Sequence, residues 1–442
     1  MKPLDLAETD SLELNNQTTS ISEKYTPDEI RHNFRLGSIN GILYTFADSI
    51  LDPTLVLVAF LSNLTQSPIL LGLIVPIRQA AWSLPQLWVS GYIQNMPRKM
   101  VAYRQIAWIR IAWWGILALN INFIQDPTWL LITFFVSFTI SSLANGVGGL
   151  PFLEVIGKTI PPNRRGEMYA WRLGVGGALG IGGSVFVRWI LSANSPFQYP
   201  RNYGILAIIF FGVASASLMI FNHAVEYPDQ HLQPRRNFWA QIQRGITILG
   251  REKNYRNLMI TLSLLTISSA AIPFYAIFVQ QEMGGSKDWV GIYLAVIMAA
   301  NMISNIVFGR QSRNSNQIVL IRAAIAGLLM SLLVFLLVLL AKPLQLTPLA
   351  ASIWLLPVFI LNGIRGTGIG VSSNSLLLNI VPDAERSLMV GFSQTVVGAV
   401  MLATGLIGVV VNSLGYPFVM GLTLATHLMG LWSATKIRET VQ

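Results

Sequence analysis

The sequence predicts an all-α membrane protein with about twelve transmembrane helices in two pseudo-symmetric six-helix bundles. Hydrophobic residues make up 53% of the chain and charged residues 11%, whereas a soluble domain carries about 25% charged residues. The apolar residues form continuous stretches, many of them near the roughly 20 residues that a helix needs to cross a bilayer. Lipid leaves only helices or closed barrels as spanning structures. Because the stretches do not alternate between polar and apolar residues, we predict helices.

Polar or Gly/Pro-containing connections separate these stretches and define the predicted spans. In the first half they are 36–61, 68–94, 105–124, 128–153, 167–192 and 203–223, and in the second half 258–281, 289–310, 317–341, 349–379, 388–412 and 416–435. The predicted organisation is a cytosolic polar tail (1–35), an N-terminal bundle (36–223), a central cytosolic loop (224–256), a C-terminal bundle (257–436) and a short cytosolic tail (437–442). Pro76, Pro85 and Pro273 predict kinks in the second and seventh spans.

The basic residues predict the orientation of the chain. With both termini in the cytosol, most of the 30 Lys and Arg fall in tails and loops on that side, whereas Arg201, Lys287 and Lys342 fall on the other. This bias follows the positive-inside rule. It also explains the net charge of +10 without a nucleic-acid partner. The first 35 residues lack a basic region followed by an apolar stretch, so no cleavable signal is predicted. We expect a monomeric, multi-pass protein of the plasma (inner) membrane.

The composition argues against enzyme classes. The chain has no cysteine and four scattered histidines, so it offers no thiolate nucleophile and no recognisable metal-ligand spacing. No Walker-type glycine loop is present. The glycine-rich stretch 366–370 lies inside a predicted span, where it cannot act as a soluble phosphate cradle. We therefore predict no catalytic residue, no metal and no cofactor.

An internal repeat supports two bundles. After the fourth span, Pro161 is followed by Arg164, Arg165 and Gly166; after the tenth, Pro382 is followed at equivalent spacing by Arg386 and Ser387. Parallel six-helix repeats related by an axis normal to the membrane are one of the architectures that transporters use.

These features resemble the major facilitator superfamily over the whole chain apart from the tail. That family has a basic loop between its second and third spans with the consensus G-x-x-x-D-R-x-G-R-R. Here Gly91 and the pair Arg98–Lys99 match, Asn95 occupies the acidic position and one residue is missing. In the family the acid pairs with neighbouring helix ends and biases the gating states. Its absence puts the gating latch in question but not the fold.

The equivalent loop between spans eight and nine departs in the same way, since Gly309 replaces the acid. By resemblance we assign the gating loops to Gly91, Asn95, Arg98, Lys99, Arg310, Arg313, Arg165 and Arg386. Two other family motifs are incomplete: Ser142 stands four residues before Gly146, where proton-coupled members carry Arg, and the antiporter glycine motif of the fifth span is only partly kept. Close helix packing explains such glycines equally well.

Charges near the middle of a span predict the substrate site, because an ionisable group there faces a cavity or a partner. Asp48, Arg78 and Arg365 are the three that we place deepest. By resemblance all three belong to spans that line a central cavity. Asn40 and Tyr44 share a helical face with Asp48, and Asn301 and Asn305 form a similar stripe on the eighth span. Arg172 is expected to reach the cytosolic rim instead.

Two interpretations of these charges remain open. In the first, Arg78 and Arg365 bind an anionic or polar substrate, and Asp48 either couples transport to a proton or other ion or is the counter-ion that holds Arg78. In the second, Asp48 and Arg78 form a buried pair without substrate contact. Two functions are compared separately: a secondary active transporter of a small solute, such as an organic anion or an exported amphiphile, and a membrane assembly or scaffold factor on the same fold. The transporter reading is favoured because a scaffold does not need converging charges at mid-bilayer.

Overall fold

The computed structural model describes residues 21, 23–93, 95–229, 237–312, 314–380 and 386–438. This part of the chain is helical. The first half contains α1 (Pro27–Ile50), α2 (Val56–Leu61), α3 (Pro68–Ser83), α4 (Gln86–Ile93), α5 (Lys99–Phe123), α6 (Pro127–Thr159), α7 (Pro162–Leu191) and α8 (Arg201–Phe221). The second half contains α9 (Phe238–Arg251), α10 (Lys253–Ser269), α11 (Ile272–Glu282), α12 (Trp289–Gln311), α13 (Asn316–Leu340), α14 (Pro348–Ile380), α15 (Arg386–Ala403) and α16 (Ile407–Ala434).

The helices form twelve spans. Ten segments of the described chain are long and apolar enough to cross a membrane, and one of them, Leu388–Ala434, has 47 residues. At 1.5 Å per residue that is about 70 Å, more than twice the roughly 30 Å of hydrocarbon. The chain turns inside it at Gly415, whose φ of 77° is left-handed and favours glycine. It therefore supplies spans 11 and 12. The broken pair α1–α2 supplies span 1, and the remaining spans follow in chain order.

The helix that contains span 1 begins at Pro27, before the first residue of the predicted span. Thr26 and Glu29 form a reciprocal capping box and Pro27 occupies the first turn, a combination that starts helices strongly. The last part of the predicted tail is therefore helical, because this local signal outweighs the charge of the segment. The span then breaks after Ile50. There the Asp52 carboxylate accepts the backbone N–H groups of Thr54 and Leu55 at 2.9 and 2.8 Å and starts α2.

Two of the three prolines at which kinks were predicted lie at helix breaks, whereas Pro76 lies inside α3 without interrupting it. Pro85 lies between α3 and α4, and Pro273 lies in the first turn of α11, directly after the break at Ala270 and Ala271. Proline lacks an amide hydrogen and clashes with the preceding turn, so a helix bends or restarts there. Spans 2 and 7 therefore each consist of two helical pieces.

The packing pattern is the same in both halves. In the first half, span 1 packs on spans 5 and 6, span 3 on spans 4 and 6, and span 2 on span 4. In the second half, span 7 packs on spans 11 and 12, span 9 on spans 10 and 12, and span 8 on span 10. The contacts between halves, span 5 with span 8 and span 2 with span 11, are also exchanged by this relation. The two bundles are therefore pseudo-symmetric.

We call the end that carries the start of α1, the end of α16 and the turn Asn95–Arg98 the terminal face. The opposite face carries the turns Ser62–Ser67 and Met283–Asp288. The predicted central loop lies at the terminal face but is not all loop, because α9 occupies Phe238–Arg251. One side of α9 packs inward at Gly245, where a Cβ would collide with the Phe392 ring. The other side exposes Trp239 and Ile246. That amphipathic pattern is typical of a helix in the membrane interface.

An ionic cluster joins three parts of the N-terminal bundle at the terminal face. The buried Glu226 carboxylate accepts the backbone N–H groups of Lys99 and Met100 at 3.0 and 2.7 Å, at the start of α5. Lys158 Nζ, near the end of α6, lies 2.6 Å from Glu226 and 2.7 Å from Asp229. Partial burial opposes ionisation of Asp229, but hydrogen bonds and charge from Lys158 and Lys99 outweigh it and hold the pKa of Asp229 below its ordinary value.

We expect Glu226→Gln to lower the free energy of unfolding by about 2–4 kcal/mol, because it leaves Lys158 less compensated and turns an amide N–H₂ toward backbone donors. Thermal unfolding in detergent micelles measures the change. The matched control is Glu252→Gln, at an exposed position whose side chain caps no helix. Equal melting of the two variants would show that the cluster does not stabilise the bundle.

Candidate functional site

Three adjoining cavities lie in and between the bundles, and we refer to them together as the chamber. The first, of about 440 Å³, is lined by Arg365 and Asn301 of the C-terminal bundle and reaches Gln79 of span 2. The second, of about 410 Å³, lies within the N-terminal bundle and shares Gln79. The third, of about 400 Å³, shares Tyr44 with the second and Asn301 with the first. The chamber is thus bounded by spans of both halves.

The predicted Asp48 and Arg78 meet in this chamber. Arg78 Nη2 donates a hydrogen bond to Asp48 Oδ1, and the two side chains are 23% and 35% exposed, respectively. Asp48 lines the third cavity and Arg78 the second. The pair therefore joins spans 1 and 2 and also faces the chamber. The ion pair and a surface open to solute coexist, so neither of the two interpretations excludes the other.

The polar stripe of span 1 has two different environments. The Tyr44 hydroxyl donates to Asn145 Oδ1 at 3.3 Å and lines both the second and third cavities. Asn40 is buried, and its Nδ2 donates to the Ser217 hydroxyl at 2.8 Å while that hydroxyl donates back to the Asn40 carbonyl oxygen at 2.8 Å. Asn40 thus ties span 1 to span 6 and only borders the second cavity, because its amide hydrogens are already used.

Asn301 and Asn305 lie on the chamber side of span 8. Asn301 Oδ1 accepts the Thr367 hydroxyl of span 10 at 3.2 Å, and Asn305 Nδ2 donates to the Asn301 carbonyl oxygen at 3.0 Å. Both line the third cavity, and Asn301 also lines the first. The predicted stripe is therefore an uncharged polar wall opposite the Asp48–Arg78 pair.

Arg365 lies in a neutral surrounding. It is 6% exposed and lines the first cavity, and within the described residues its Nε has no hydrogen-bond partner. Gly327 of span 9 creates the room, since a Cβ there would lie 2.6 Å from the His427 ring and 2.7 Å from Arg365 Cδ. His427 Nδ1 is hydrogen-bonded to the Ser331 hydroxyl at 2.7 Å. None of the ion pairs of the described residues includes Arg365.

The second cavity is also lined by two arginines that the sequence analysis did not identify as site residues, Arg110 and Arg172. Arg110 is 5% exposed, and its guanidinium lies 4.8 Å from the Trp114 ring centroid and 5.4 Å from that of Tyr44. Arg172 was expected to reach the rim, but its Nη1 donates to the Gly37 carbonyl oxygen at 3.0 Å. The predicted third span starts only five residues before Arg110, whereas α5 begins at Lys99. Counted from Lys99, Arg110 lies eleven residues into the helix. A predicted span that began at Lys99 would therefore have placed Arg110 deep in the membrane.

Glycines of span 4 shape the second cavity. A Cβ at Gly146 would collide with the Ala81 carbonyl oxygen, and one at Gly149 would collide with the Trp82 ring. A Cβ at Gly148 would lie 3.7 Å from Arg110 Nη1. Small residues let helix backbones approach closely. Here they bring spans 2 and 3 against span 4 and leave space for the arginines.

The chamber is closed at the opposite face. Lys287 Nζ donates to Asn63 Oδ1 and Gln281 Nε2 donates to Gln66 Oε1 at 3.2 Å, and both contacts cross between the halves. Spans 2 and 11 touch directly, because a Cβ at Gly408 would collide with the Pro68 carbonyl oxygen. Toward the terminal face the space beside span 5 is open, since a Cβ at Gly174 or Gly177 would meet no atom within 4 Å. Spans 2 and 11 remain in contact there, because a Cβ at Gly391 would lie 2.9 Å from Leu87 Cδ1.

The loop residues assigned by resemblance have separate roles. Gly91 is buried in α4, Asn95 and Arg98 are exposed, and Lys99 Nζ lies 3.3 Å from Asp229. Arg310 is exposed in the last turn of α12. Arg165 donates to the carbonyl oxygens of Ile160 and Gly157 at 2.8 and 2.6 Å and so caps the end of α6. Arg313 and the Arg386 side chain lie outside the described residues.

Known structures share this architecture. A D-xylose-proton symporter is 15% identical with a TM-score of 0.67, covering 93% of this chain and 99% of that chain. The nucleoside transporter NupG is 14% identical with a TM-score of 0.68, covering 92% and 99%. A bacterial homologue of the iron transporter ferroportin, in its inward-facing state, is 12% identical with a TM-score of 0.65, covering 93% and 99%. At these identities the likeness concerns the fold.

No curated protein sequence matches the chain. The family description that does match is "Major Facilitator Superfamily", over residues 37–406. This segment runs from the first turns of α1 to the end of the 3₁₀ turn in span 11 and therefore covers most of the fold described above. The chain belongs to the Major Facilitator Superfamily and is a multi-pass membrane protein with a transporter fold.

Proposed function

We propose that this protein is a secondary active transporter that moves a small charged solute by alternating access. The observation that carries the proposal is the chamber itself. Its walls come from both bundles, it contains charges from both, and contacts between the bundles close it at the opposite face. With both termini in the cytosol of the plasma (inner) membrane, as the positive-inside bias predicts, we propose that this conformation is closed to the non-cytosolic side.

The Asp48–Arg78 pair is the proposed coupling site. A proton on Asp48 removes the negative charge that holds Arg78, which then becomes available to the solute. Loss of that proton restores the pair and displaces the solute. The arrangement requires both groups to face the chamber, as they do. Coupling thus follows because the Asp48 carboxylate alternates between two partners, Arg78 and a proton or another small ion.

Transport is favoured over a scaffold role on the same fold. A scaffold fills its interior with apolar packing, whereas this interior holds Arg78, Arg110 and Arg365 around open space. Burial of such charges is costly without a partner, and a transported solute is the partner that a chamber admits. An anion is favoured over an uncharged amphiphile for the same reason.

We expect proteoliposomes containing the protein to exchange a labelled organic anion for the same unlabelled anion, and to accumulate it when a pH gradient is imposed. One pH unit is worth about 1.4 kcal/mol per proton, enough for about tenfold accumulation. A panel of organic anions, amphiphiles and neutral solutes, with and without the gradient, identifies the class. If no solute of any class is exchanged above protein-free vesicles, the transporter proposal is wrong.

We expect Asp48→Asn to retain exchange but to lose the accumulation driven by the pH gradient, because an amide cannot carry the proton. The ratio of internal to external solute under the gradient measures this. Asp52→Asn is the matched control: it lies four residues further along, and an Asn Oδ1 can still accept the Thr54 and Leu55 N–H groups that the Asp52 carboxylate accepts. Gradient-driven accumulation by Asp48→Asn at the wild-type level would remove the coupling role of Asp48.

We expect Gly408→Val to open the chamber at the opposite face, because its Cβ meets the Pro68 backbone, which cannot yield. Overpacking of this kind costs about 1–3 kcal/mol, enough to shift a conformational equilibrium about tenfold or more. Since the chain has no cysteine, a single Asn362→Cys reporter in the first cavity can be labelled with an impermeant thiol reagent added to the non-cytosolic side.

The control for this substitution is Gly212→Val, because a Cβ at Gly212 meets no atom within 4 Å. Labelling of the reporter should rise at least about tenfold in Gly408→Val and stay at the starting level in Gly212→Val. Unchanged labelling in both variants would show that contact between spans 2 and 11 does not hold the opposite face closed.

A further inference from the structure

We infer that the solute of this chamber is an organic dianion, bound at one end by Arg110 of the N-terminal bundle and at the other by Arg365 of the C-terminal bundle. The inference rests on the proposed transport function and specifies its substrate class. Its basis is the balance of charge in the chamber, the isolation of these two guanidinium groups and the way the cavities connect them.

The charged side chains that line the chamber, within the described part of the chain, do not balance. Four are cations and one is an anion: Arg78, Arg110, Arg172, Arg365 and Asp48. Asp48 neutralises Arg78. Arg172 uses donors on the Gly37 carbonyl oxygen and on Asn40 Oδ1. Arg110 and Arg365 are left, and no carboxylate of the described residues lies within ion-pair distance of either.

Arg110 is held in place without being neutralised. Its guanidinium lies over Trp114 and Tyr44, which stabilises a cation by roughly 0.5–2 kcal/mol but offers no hydrogen-bond acceptor. The side chain is 5% exposed, and its Nε is without a hydrogen-bond partner among the residues the structure describes. A buried cation with free donors that borders a cavity is suited to a carboxylate or a phosphate, whose oxygens match the guanidinium fork.

Arg365 has the same character in the other bundle. Its neighbours are neutral: the His427 ring, whose Nδ1 is tied to Ser331, and Gly327, which makes room for both side chains. The Arg365 Nε is also unpartnered within the described chain, and the residue is 6% exposed on the wall of the first cavity. Arg365 is thus a second anion-binding group, and it belongs to the C-terminal bundle, whereas Arg110 belongs to the N-terminal bundle.

The connection between the two cavities indicates one solute with two anionic ends. Gln79 lines both cavities and so marks where they adjoin. A solute that displaces this flexible side chain can place one end beside each arginine. The wall near Arg110 includes Trp82 and Phe152, which suit a carbon skeleton better than a hydrated inorganic ion. A dianion also removes the repulsion between two like charges when the bundles close, so the loaded carrier changes state more readily than the empty one.

The test uses straight-chain dicarboxylates of increasing length, each with its monomethyl and dimethyl ester. For the best-fitting length we expect the dianion to displace a labelled anion, and to raise the melting temperature of the purified protein, at a concentration about 10- to 100-fold lower than its monoester. That ratio corresponds to one charge-assisted hydrogen bond. The dimethyl ester should do neither. Equal potency of dianion and monoester would overturn the inference.

Arg110→Gln and Arg365→Gln should each abolish the preference for the dianion over the monoester, to within about twofold, because one charged end has lost its partner. The control is Arg104→Gln, on the same helix as Arg110, whose exposed Nε donates to the Asn222 carbonyl oxygen; it should keep the wild-type preference. Melting without ligand and the elution profile in detergent show that each variant is folded. Arg110→Lys retains the charge and should restore part of the preference.

The outcomes separate this inference from the transport proposal. Flux of neutral or cationic solutes, with no competition or stabilisation by dianions, would overturn the dianion site and leave transport standing. Stabilisation by the dianion without flux of any solute would support the site and overturn transport. A preference for the dianion that survives both Arg110→Gln and Arg365→Gln would place the anion elsewhere and overturn the assignment.

Discussion

The cost of leaving a charge unpaired in a low-dielectric interior governs this protein. A hydrocarbon surrounding offers no water to an arginine or aspartate, so each must find a counter-charge, a hydrogen-bond acceptor or a polar space. Asp48 and Arg78 satisfy each other, Arg172 uses a backbone carbonyl, and Arg110 and Arg365 border empty space. The chamber therefore exists where apolar packing would be least favourable. Its chemistry follows from which of these charges remain uncompensated.

The two bundles repeat one packing scheme but contribute different numbers of charged side chains to the chamber. The largest contacts between spans of the first half have their counterparts in the second. The charges do not follow that symmetry, because the N-terminal bundle contributes Asp48 and three arginines while the C-terminal bundle contributes Arg365 and an uncharged polar wall. The proposed alternating access requires such a common scaffold, in which the halves can move as equivalent bodies. The unequal charges give the first half the proposed coupling role and leave the second to complete the solute site.

The terminal face shows how a missing motif residue can be replaced from elsewhere in the chain. The family carries an acid in the loop between spans 2 and 3, and this sequence has Asn95 there. The start of α5 still has a carboxylate, because Glu226, beyond span 6, accepts its first backbone N–H groups and pairs with Lys158. A helix N-terminus favours a negative charge whichever part of the chain supplies it. The carboxylate that stabilises the start of α5 therefore comes from the same half of the chain. Closure at the opposite face depends instead on contacts between the bundles, such as that of Lys287 with Asn63.

The sequence by itself determined the membrane class, the number of spans, the two repeats and the depth of Asp48, Arg78 and Arg365, because hydropathy, charge bias and helix rise act along the chain. It did not determine the start of α1 at Pro27, the helix α9 or the place of Arg110, since each depends on a local cap or an interface that hydropathy does not register. Only the tertiary structure decided that Asp48 pairs with Arg78, that Asn40 serves span 6, and that Arg110 and Arg365 border connected cavities. Those relations join residues far apart in the chain. They are set by which helices pack together and by the glycines that let them approach.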